Sequence, residues 1–305
     1  MLVEGPVRVT VPATSANLGP GFDALGLALD LRDHLEAEVR AEGLLIEIEG
    51  AGSSSVPRDA SHLVVRAMQV GFDALGERAP GLRLSCRNVI PHARGLGSSS
   101  AAIVGGLALA RGLTVEGSDR MDDDRLFRLA AELEGHPDNV APACFGGFVI
   151  SGRDEPDAGG DFYAVGSPVD EAIAAVVLIP PVGVETKVAR GLLPTEVPHA
   201  DAAANSGRAA LLVAALSGRP DLLLRATRDY LHQEFRRPAM PETLDLVDAL
   251  RAAGIAAIVS GAGPTVLAFT GGPASEATAT VLASCPAGWQ ATHLAVDRRG
   301  VEVAY

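Results

Sequence analysis

One glycine- and serine-rich stretch, Pro91-His-Ala-Arg-Gly-Leu-Gly-Ser-Ser-Ser-Ala-Ala102, constrains this chain more than any other. Before it, Leu82, Leu84 and Cys86 alternate with polar residues, the period of a strand. After it, Ala101 to Arg111 is almost wholly apolar and reads as a buried helix. The stretch is therefore a strand-to-helix turn. Gly95 and Gly97 let the backbone take positive φ and let a ligand approach the main chain. The first N–H groups of a helix have no internal partners, and together with the helix dipole they favour an anion. Ser98, Ser99 and Ser100 add hydroxyls for phosphate or Mg²⁺. Two readings stand side by side: a phosphate cradle, or a serine N-cap on a tight turn. The commonest nucleotide loops do not fit. A P-loop needs Gly-Lys-Ser/Thr, and the one lysine is Lys187. The dinucleotide fingerprint needs a glycine where Ser100 stands.

At 305 residues, 48% hydrophobic and 21% charged, the chain is globular and long enough for one large domain or two ordinary ones. A net charge of −13 argues against nucleic acid or an anionic membrane as partner. With 24 arginines and one lysine, any cationic contact to a carboxylate or phosphate falls to arginine. Cys86, Cys144 and Cys285 are far apart and odd in number, so buried free thiols and a reducing cytoplasm are expected. No C-x-x-C or H-E-x-x-H motif points to zinc. The first residues run straight into a strand pattern with no secretory signal, and no apolar run is long enough to span a membrane.

Val7, Val9 and Val11 predict a strand that ends at Pro12 and opens into the structured loop Ala13-Thr-Ser-Ala-Asn17-Leu-Gly-Pro-Gly-Phe-Asp23. Leu44, Ile46 and Ile48 predict a second strand, and Leu63 to Leu75 a helix closing at Gly76. Asp122–Asp124 reads as the cap of a helix that stops near Gly135, and Ala141 to Ile150 reads as an apolar strand. Gly152 to Gly160 is the candidate boundary, giving domains 1–155 and 156–305. Beyond it, strands are expected at 173–179, 255–259, 266–269 and 291–296. Helices are expected at 186–192, 201–216, 220–231, 241–252 and 274–283. The mixture predicts α+β in two domains, with a doubly wound parallel sheet as the alternative.

Four further constellations can carry chemistry. Glu132-Leu-Glu134-Gly-His136-Pro-Asp138-Asn139 gathers carboxylates, an imidazole and an amide at a helix end. A carboxylate with a serine hydroxyl suits Mg²⁺, a hard ion that shares oxygen ligands with phosphate. The bland alternative is a solvated helix terminus. Asn17 and Asp23 on one loop could hold an amino group or hydroxyl, or simply cap a turn. Ser260-Gly-Ala-Gly-Pro-Thr265 allows close backbone approach, or is only a hairpin. Arg190, four residues after Thr186, and Arg236-Arg237 are ordinary surface charges unless the fold gathers them.

In combination these motifs resemble the GHMP kinases, whose members include galactokinase and mevalonate kinase. Pro91 to Ala102 resembles their PxxxGLGSSxA signature. Pro12 to Leu29, Glu134 to Pro142, Thr186-x-x-x-Arg190, the run ending in Arg236 and Ser260 to Val266 resemble, in order, the motifs of the branch that phosphorylates L-homoserine on the way to threonine. The resemblance implies a two-domain α+β fold: an N-terminal domain like the second domain of ribosomal protein S5, and a ferredoxin-like C-terminal domain. It implies ATP and Mg²⁺ as cofactors, L-homoserine as substrate, and a cytoplasmic homodimer. ATP would lie on Pro91, His92, Ala93, Arg94, Gly95, Leu96, Gly97, Ser98, Ser99, Ser100 and Ala101. Glu134 and Ser99, or Ser98 in its place, would hold the metal. Asn17, Asp23, Asn139, Thr186, Arg190, Arg236, Gly261 and Gly263 would form the substrate site. Glu134, His136, Asn139 and Arg190 would be the catalytic set. Asn139 stands where other members carry an aspartate, so the resemblance supplies no general base. A kinase for another small alcohol and a non-catalytic ligand sensor are the competing expectations.

Overall fold

A computed structural model describes residues 1–155 and 160–305. The first strand, β1 (Val7–Ala16), buries Val7, Val9 and Val11 and turns Arg8 outward, as its alternation requires. It pairs antiparallel with β2 (Leu25–Arg40), Val9 opposite Leu35 and Val11 opposite Asp33. The register slips between Pro12, opposite Arg32, and Ala13, opposite Leu29. Proline has no N–H for the ladder, so the slip falls where the ladder is weakest. The strand does not end at Pro12 as expected: it runs on to Ala16, wholly buried, and delivers the chain into the Asn17–Asp23 loop.

β3 (Gly43–Gly50), α1 (Leu63–Leu75) and β4 (Gly81–Asn88) form a crossover in which β3 and β4 run parallel. α2 (Ser98–Gly112) lies against α1 and β1. α3 (Gly117–Arg120) and α4 (Asp123–Glu134) follow, then α5 (Val140–Phe145), β5 (Phe148–Arg153) and β6 (Phe162–Ser167). The second unit comprises β7 (Ala174–Ile179), α6 (Thr186–Gly191), α7 (His199–Leu216), α8 (Leu223–Ala226), α9 (Pro241–Ala252), β8 (Ala257–Val259), β9 (Val266–Thr270), α10 (Glu276–Ala283) and β10 (Gln290–Ala295). Its sheet has the order β10-β7-β9-β8, antiparallel throughout. Val176 and Leu178 of β7 face a cluster with Leu244, Val247 and Val281, while Ala175 and Val177 join the main core. Both faces of β7 are therefore covered, which is why it is an unbroken apolar run instead of an alternating one.

The first sheet runs β11-β1-β2-β4-β3, where β11 (Glu302–Ala304) returns from the end of the chain, and β5 joins β2 and β6. The expected boundary at 155/156 touches residues 156–159, which lie outside the described residues; beyond them, β6 still pairs with β5. β3 with β4 is the one parallel pairing among the described residues, so the sheets are not doubly wound.

Some expectations need correction. Ala141 to Ile150 is not one strand: Gly146 at φ +73° closes α5, and β5 begins only at Phe148. Pro142 sits in the first turn of α5, where its missing N–H costs nothing. Residues 220–231 hold only a 3₁₀ turn and α8; Asp229 then accepts the N–H groups of Leu231, His232 and Gln233, which diverts the backbone from the helix. Cys86 and Cys144 are buried, but Cys285 is half-buried. Arg236 is no surface charge: it is 1% exposed.

Candidate active site

The N-terminus of α2 decides between the two readings of the serine run. Gly97 is the N-cap, at φ +70° and with no side-chain cap hydrogen bond, and Gly95 sits at φ +75°. No serine caps the helix, so its first N–H groups stay open to a ligand. A Cβ on Gly97 would lie 1.9 Å from Thr14 Oγ1, and one on Gly95 would lie 2.2 Å from the Ser260 carbonyl. Side chains are excluded at both positions because two other loops press on the turn. Ser260 Oγ donates to the Gly95 carbonyl at 2.6 Å and, its one proton so used, accepts from Ser15 Oγ at 2.8 Å.

Ser99 Oγ donates to Glu134 Oε1 at 2.5 Å, and Ser100 Oγ reaches the same oxygen at 3.1 Å. The end of α4 is thereby tied to the start of α2. A carboxylate beside a hydroxyl at an open helix N-terminus is a hard-oxygen donor set, which fits Mg²⁺. Among the described residues no group of three or more His, Cys, Asp or Glu side chains could hold a metal ion by itself. Phosphate oxygens would have to complete the shell of such an ion.

These elements enclose a cavity of about 310 Å³. Ala93, Gly95, Gly97, Ser98 and Ser99 form one wall; Glu134, His136 and Asn139 form the second. Asn17, Thr186, Arg190, Arg236 and Gly261 close the remaining side. Asp23 reaches it through a two-pronged ion pair: Arg190 Nη2 donates to Oδ1 at 2.6 Å and Nη1 to Oδ2 at 3.1 Å. Asn17 Nδ2 donates to the Gly261 carbonyl, and Asn17 Oδ1 accepts the Asp23 N–H. Arg236 Nη1 bonds the same Gly261 carbonyl and His232 Nδ1, while its Nε has no partner. Burial, then the neighbouring Arg190 charge, push the Arg236 guanidinium down to about 10. A buried, repelled and incompletely bonded arginine is poised for an anion. The Phe22 ring lies under both guanidiniums, 5.6 Å from Arg190 and 5.8 Å from Arg236.

Other expected residues lie elsewhere. Arg94 donates to the carbonyls of Pro180 and Pro181, so it ties the loop to the end of β7. Leu96 and Ser100 are buried, and Gly263 does not line the cavity. His92 and Ala101 line a second cavity of about 240 Å³, together with Ser98 and Ser99. The two cavities therefore meet at the start of α2. Pro91 borders a third hollow between the two units.

Three side chains were given no role by the sequence reading, although Asp138 stood within its carboxylate-rich stretch. Asp138, 2% exposed, accepts a hydrogen bond from His136 Nδ1–H at 2.8 Å and lines the main cavity. Burial alone would lower the His136 pKa, but the Asp138 hydrogen bond and charge raise it overall. The signal was there, in an aspartate two residues from a histidine beside Asn139. In the second cavity, Asp33 is pushed up to about 6 by burial, although the Val89 and Ile90 N–H groups hold its charged form. His62 accepts the Val64 N–H on Nδ1, so the buried, unpartnered Nε2 carries the proton and is a free donor. No sequence signal marked His62, whose role depends on the α1 cap.

The chain matches the GHMP kinases N terminal domain over residues 62–147 and the GHMP kinases C terminal domain over residues 211–287. A homoserine kinase of Streptomyces avermitilis is 54% identical over 97% of this chain and 95% of its own. The crystal structure of a homoserine kinase from Cytophaga hutchinsonii superposes with a TM-score of 0.84 at 27% identity, covering 100% of this chain and 99% of that one. A mevalonate kinase of L. major shares the fold, with a TM-score of 0.71 at 15% identity over 98% of both chains. The chain belongs to the GHMP kinase family and is an ATP-dependent kinase. Within that family its relatives at about half identity are homoserine kinases.

Proposed function

We propose that the protein transfers the γ-phosphoryl group of ATP to the side-chain hydroxyl of L-homoserine, giving ADP and O-phospho-L-homoserine, a step toward threonine. The observation that carries this reading is the single cavity joining an open helix N-terminus to a carboxylate-and-arginine pocket. The phosphates of ATP lie on the backbone from Ala93 to Ser99. The nucleoside occupies the second cavity, where His62 Nε2–H meets a base lone pair. Glu134 and Ser99 hold Mg²⁺, which when bound supplies positive charge against the transferred phosphoryl group.

The substrate is a zwitterion, and the pocket already pairs the groups that would hold it. Its carboxylate takes Arg190 and Arg236, and its ammonium takes Asp23. Thr186, Asp138 and the Gly261 backbone complete the enclosure. Asn139 Oδ1 accepts the Thr14 hydroxyl at 2.8 Å, so its N–H donors remain to hold the acceptor oxygen. An amide so placed orients the hydroxyl and takes no proton. His136 is held by Asp138, whose hydrogen bond and charge raise its pKa despite burial. Phosphoryl transfer with a loose transition state depends on positioning and charge more than on a base. The net charge of −13 supports free small molecules, not nucleic acid or membrane, as partners. The unpaired thiols suit the cytoplasm. A homodimer is proposed on family likeness.

The test is ADP release with Mg-ATP and L-homoserine, mevalonate, galactose, L-threonine or no acceptor. Rapid release with L-homoserine alone is expected. Release with another alcohol would keep the cradle and discard the arginine pocket. ATP binding without release in any case would favour a sensor.

A further inference from the structure

Four guanidiniums converge on the far side of the substrate loop. Arg208 of α7, Arg225 of α8, Arg228 and Arg251 of α9 line an open cavity of about 490 Å³. This is anomalous in a chain of net charge −13. Arg208, Arg225 and Arg228 form no ion pair with any carboxylate among the described residues. The acids nearby are committed elsewhere. Asp221, which also borders the cavity, takes Arg219 on both oxygens, at 2.9 and 2.8 Å. Asp229 accepts three backbone N–H groups, and Asp248 pairs with Arg237. Like charges so gathered repel, and the Arg251 guanidinium is held down by burial and then by Arg228, against the weaker pull of Asp248. Forked guanidiniums around one hollow match the oxygens of a phosphate group.

The cluster also touches the loop that carries Asn17 and Asp23, by two routes. Arg251 Nη1 donates to Thr227 Oγ1 at 2.9 Å, and its Nη2 to the Leu224 carbonyl at 2.6 Å. The Thr227 carbonyl presses on Gly19 so closely that a Cβ there would lie 2.5 Å from it. Arg228 lies over the Tyr230 ring at 5.6 Å, and the Tyr230 N–H donates to Asn205 Oδ1. Asn205 Nδ2 in turn donates to the Pro20 carbonyl at 2.8 Å. Asn205 is one helical turn from Arg208 on α7.

We propose that this arginine cluster is a second anion site, separate from the catalytic cavity, for a small phosphorylated ligand, and that its occupation tightens the Asn17–Asp23 loop around the substrate. A bound dianion screens the four charges and lets them draw together. Thr227 and Tyr230 then hold Gly19 and Pro20 more firmly. The concave shape and the acidic remainder of the surface favour a small molecule over a nucleic acid.

Inorganic pyrophosphate is the probe. Calorimetry on the full chain, saturated with Mg²⁺ and a non-hydrolysable ATP analogue to fill the cradle, should show one saturable site. The double variant R225Q/R228Q should bind at least about tenfold more weakly, the loss expected for two charge-assisted contacts. With ATP saturating and free Mg²⁺ fixed, pyrophosphate should lower the KM for L-homoserine about fivefold or more in the wild type, with kcat unchanged, and do nothing in R225Q/R228Q. Both arginines are exposed, so circular dichroism and basal kcat of the variant should match wild type. Absence of a saturable site, or equal binding by R225Q/R228Q, overturns the site. Binding without a KM shift overturns the coupling. The calorimetric arm needs no turnover, so its failure leaves the kinase reading intact, and failure of that reading leaves the anion site to stand or fall alone.

Discussion

Arg190 and Asp23 neutralise one another at the edge of the cavity, and the zwitterionic substrate proposed for it needs both. Each must exchange its partner for one end of the substrate, so the geometry of the fork matters as well as its charge. Arg190→Lys keeps the charge but loses the paired N–H donors; we expect the KM for L-homoserine to rise about tenfold or more, with a smaller change in kcat. Steady-state kinetics at saturating ATP would check this. His136 carries a second prediction at this scale. Its pKa in the folded chain lies above the ordinary 6.5, despite burial, because Asp138 favours the charged ring. That contribution to stability is complete below about pH 6.5 and fades as pH rises through the folded value. His136→Gln should therefore destabilise the fold more in mild acid than above pH 8, as read by urea denaturation across pH.

The strand-to-helix turn works because α2 lies close to α1. A Cβ on Gly106 would lie 2.5 Å from the Val64 carbonyl and 2.7 Å from the Ala67 Cβ. Gly71 of α1 faces Ala110 in the same way, at 2.7 Å. Gly106→Ala should cost about 1–3 kcal/mol in chemical denaturation, since the nearest atom is backbone and neither helix can move away freely. It should also raise the KM for ATP, because α1 begins at His62 in the second cavity. Element boundaries set by local chemistry were legible in advance: Asp122 caps α4 through the Arg125 N–H, and Gly76 closes α1 at φ +67°. The strand expected over 141–150 and the helix expected over 220–231 were not: Gly146 packs against Arg298 to Gly300, far along the chain, and Asp229 turns the backbone by side-chain bonds to the next few N–H groups, which hydrophobic periodicity does not register.

Over the whole molecule, the catalytic cavity is a seam. Asn17 and Ala16 bond Gly261, Ser260 bonds Gly95, and Arg94 reaches Pro180 and Pro181. The core beneath that seam shields Cys86, whose thiol burial and then Asp33 push up to about 12, and Cys144, which burial also pushes up. Only the half-buried Cys285 should react quickly with a thiol reagent at about pH 8 in the native protein, and denaturation should release two more. A count of one or three fast thiols in the native state distinguishes an intact core from an open one.

The sequence by itself determined the glycine turn ahead of α2, the acidic end of α4 at Glu134 and the order of the loops, because glycines, serines and helix caps act on atoms within a few residues. The alternation of β1 and the solid apolar run of β7 likewise announced which faces would be covered. Only the tertiary structure decided that Arg236 is buried beside Arg190, that Asp23 faces a guanidinium 167 residues away, and that β11 closes the first sheet beside β1. Those facts depend on where chain segments meet in space. Burial and long-range charge act through distance, and a single sequence does not record distance.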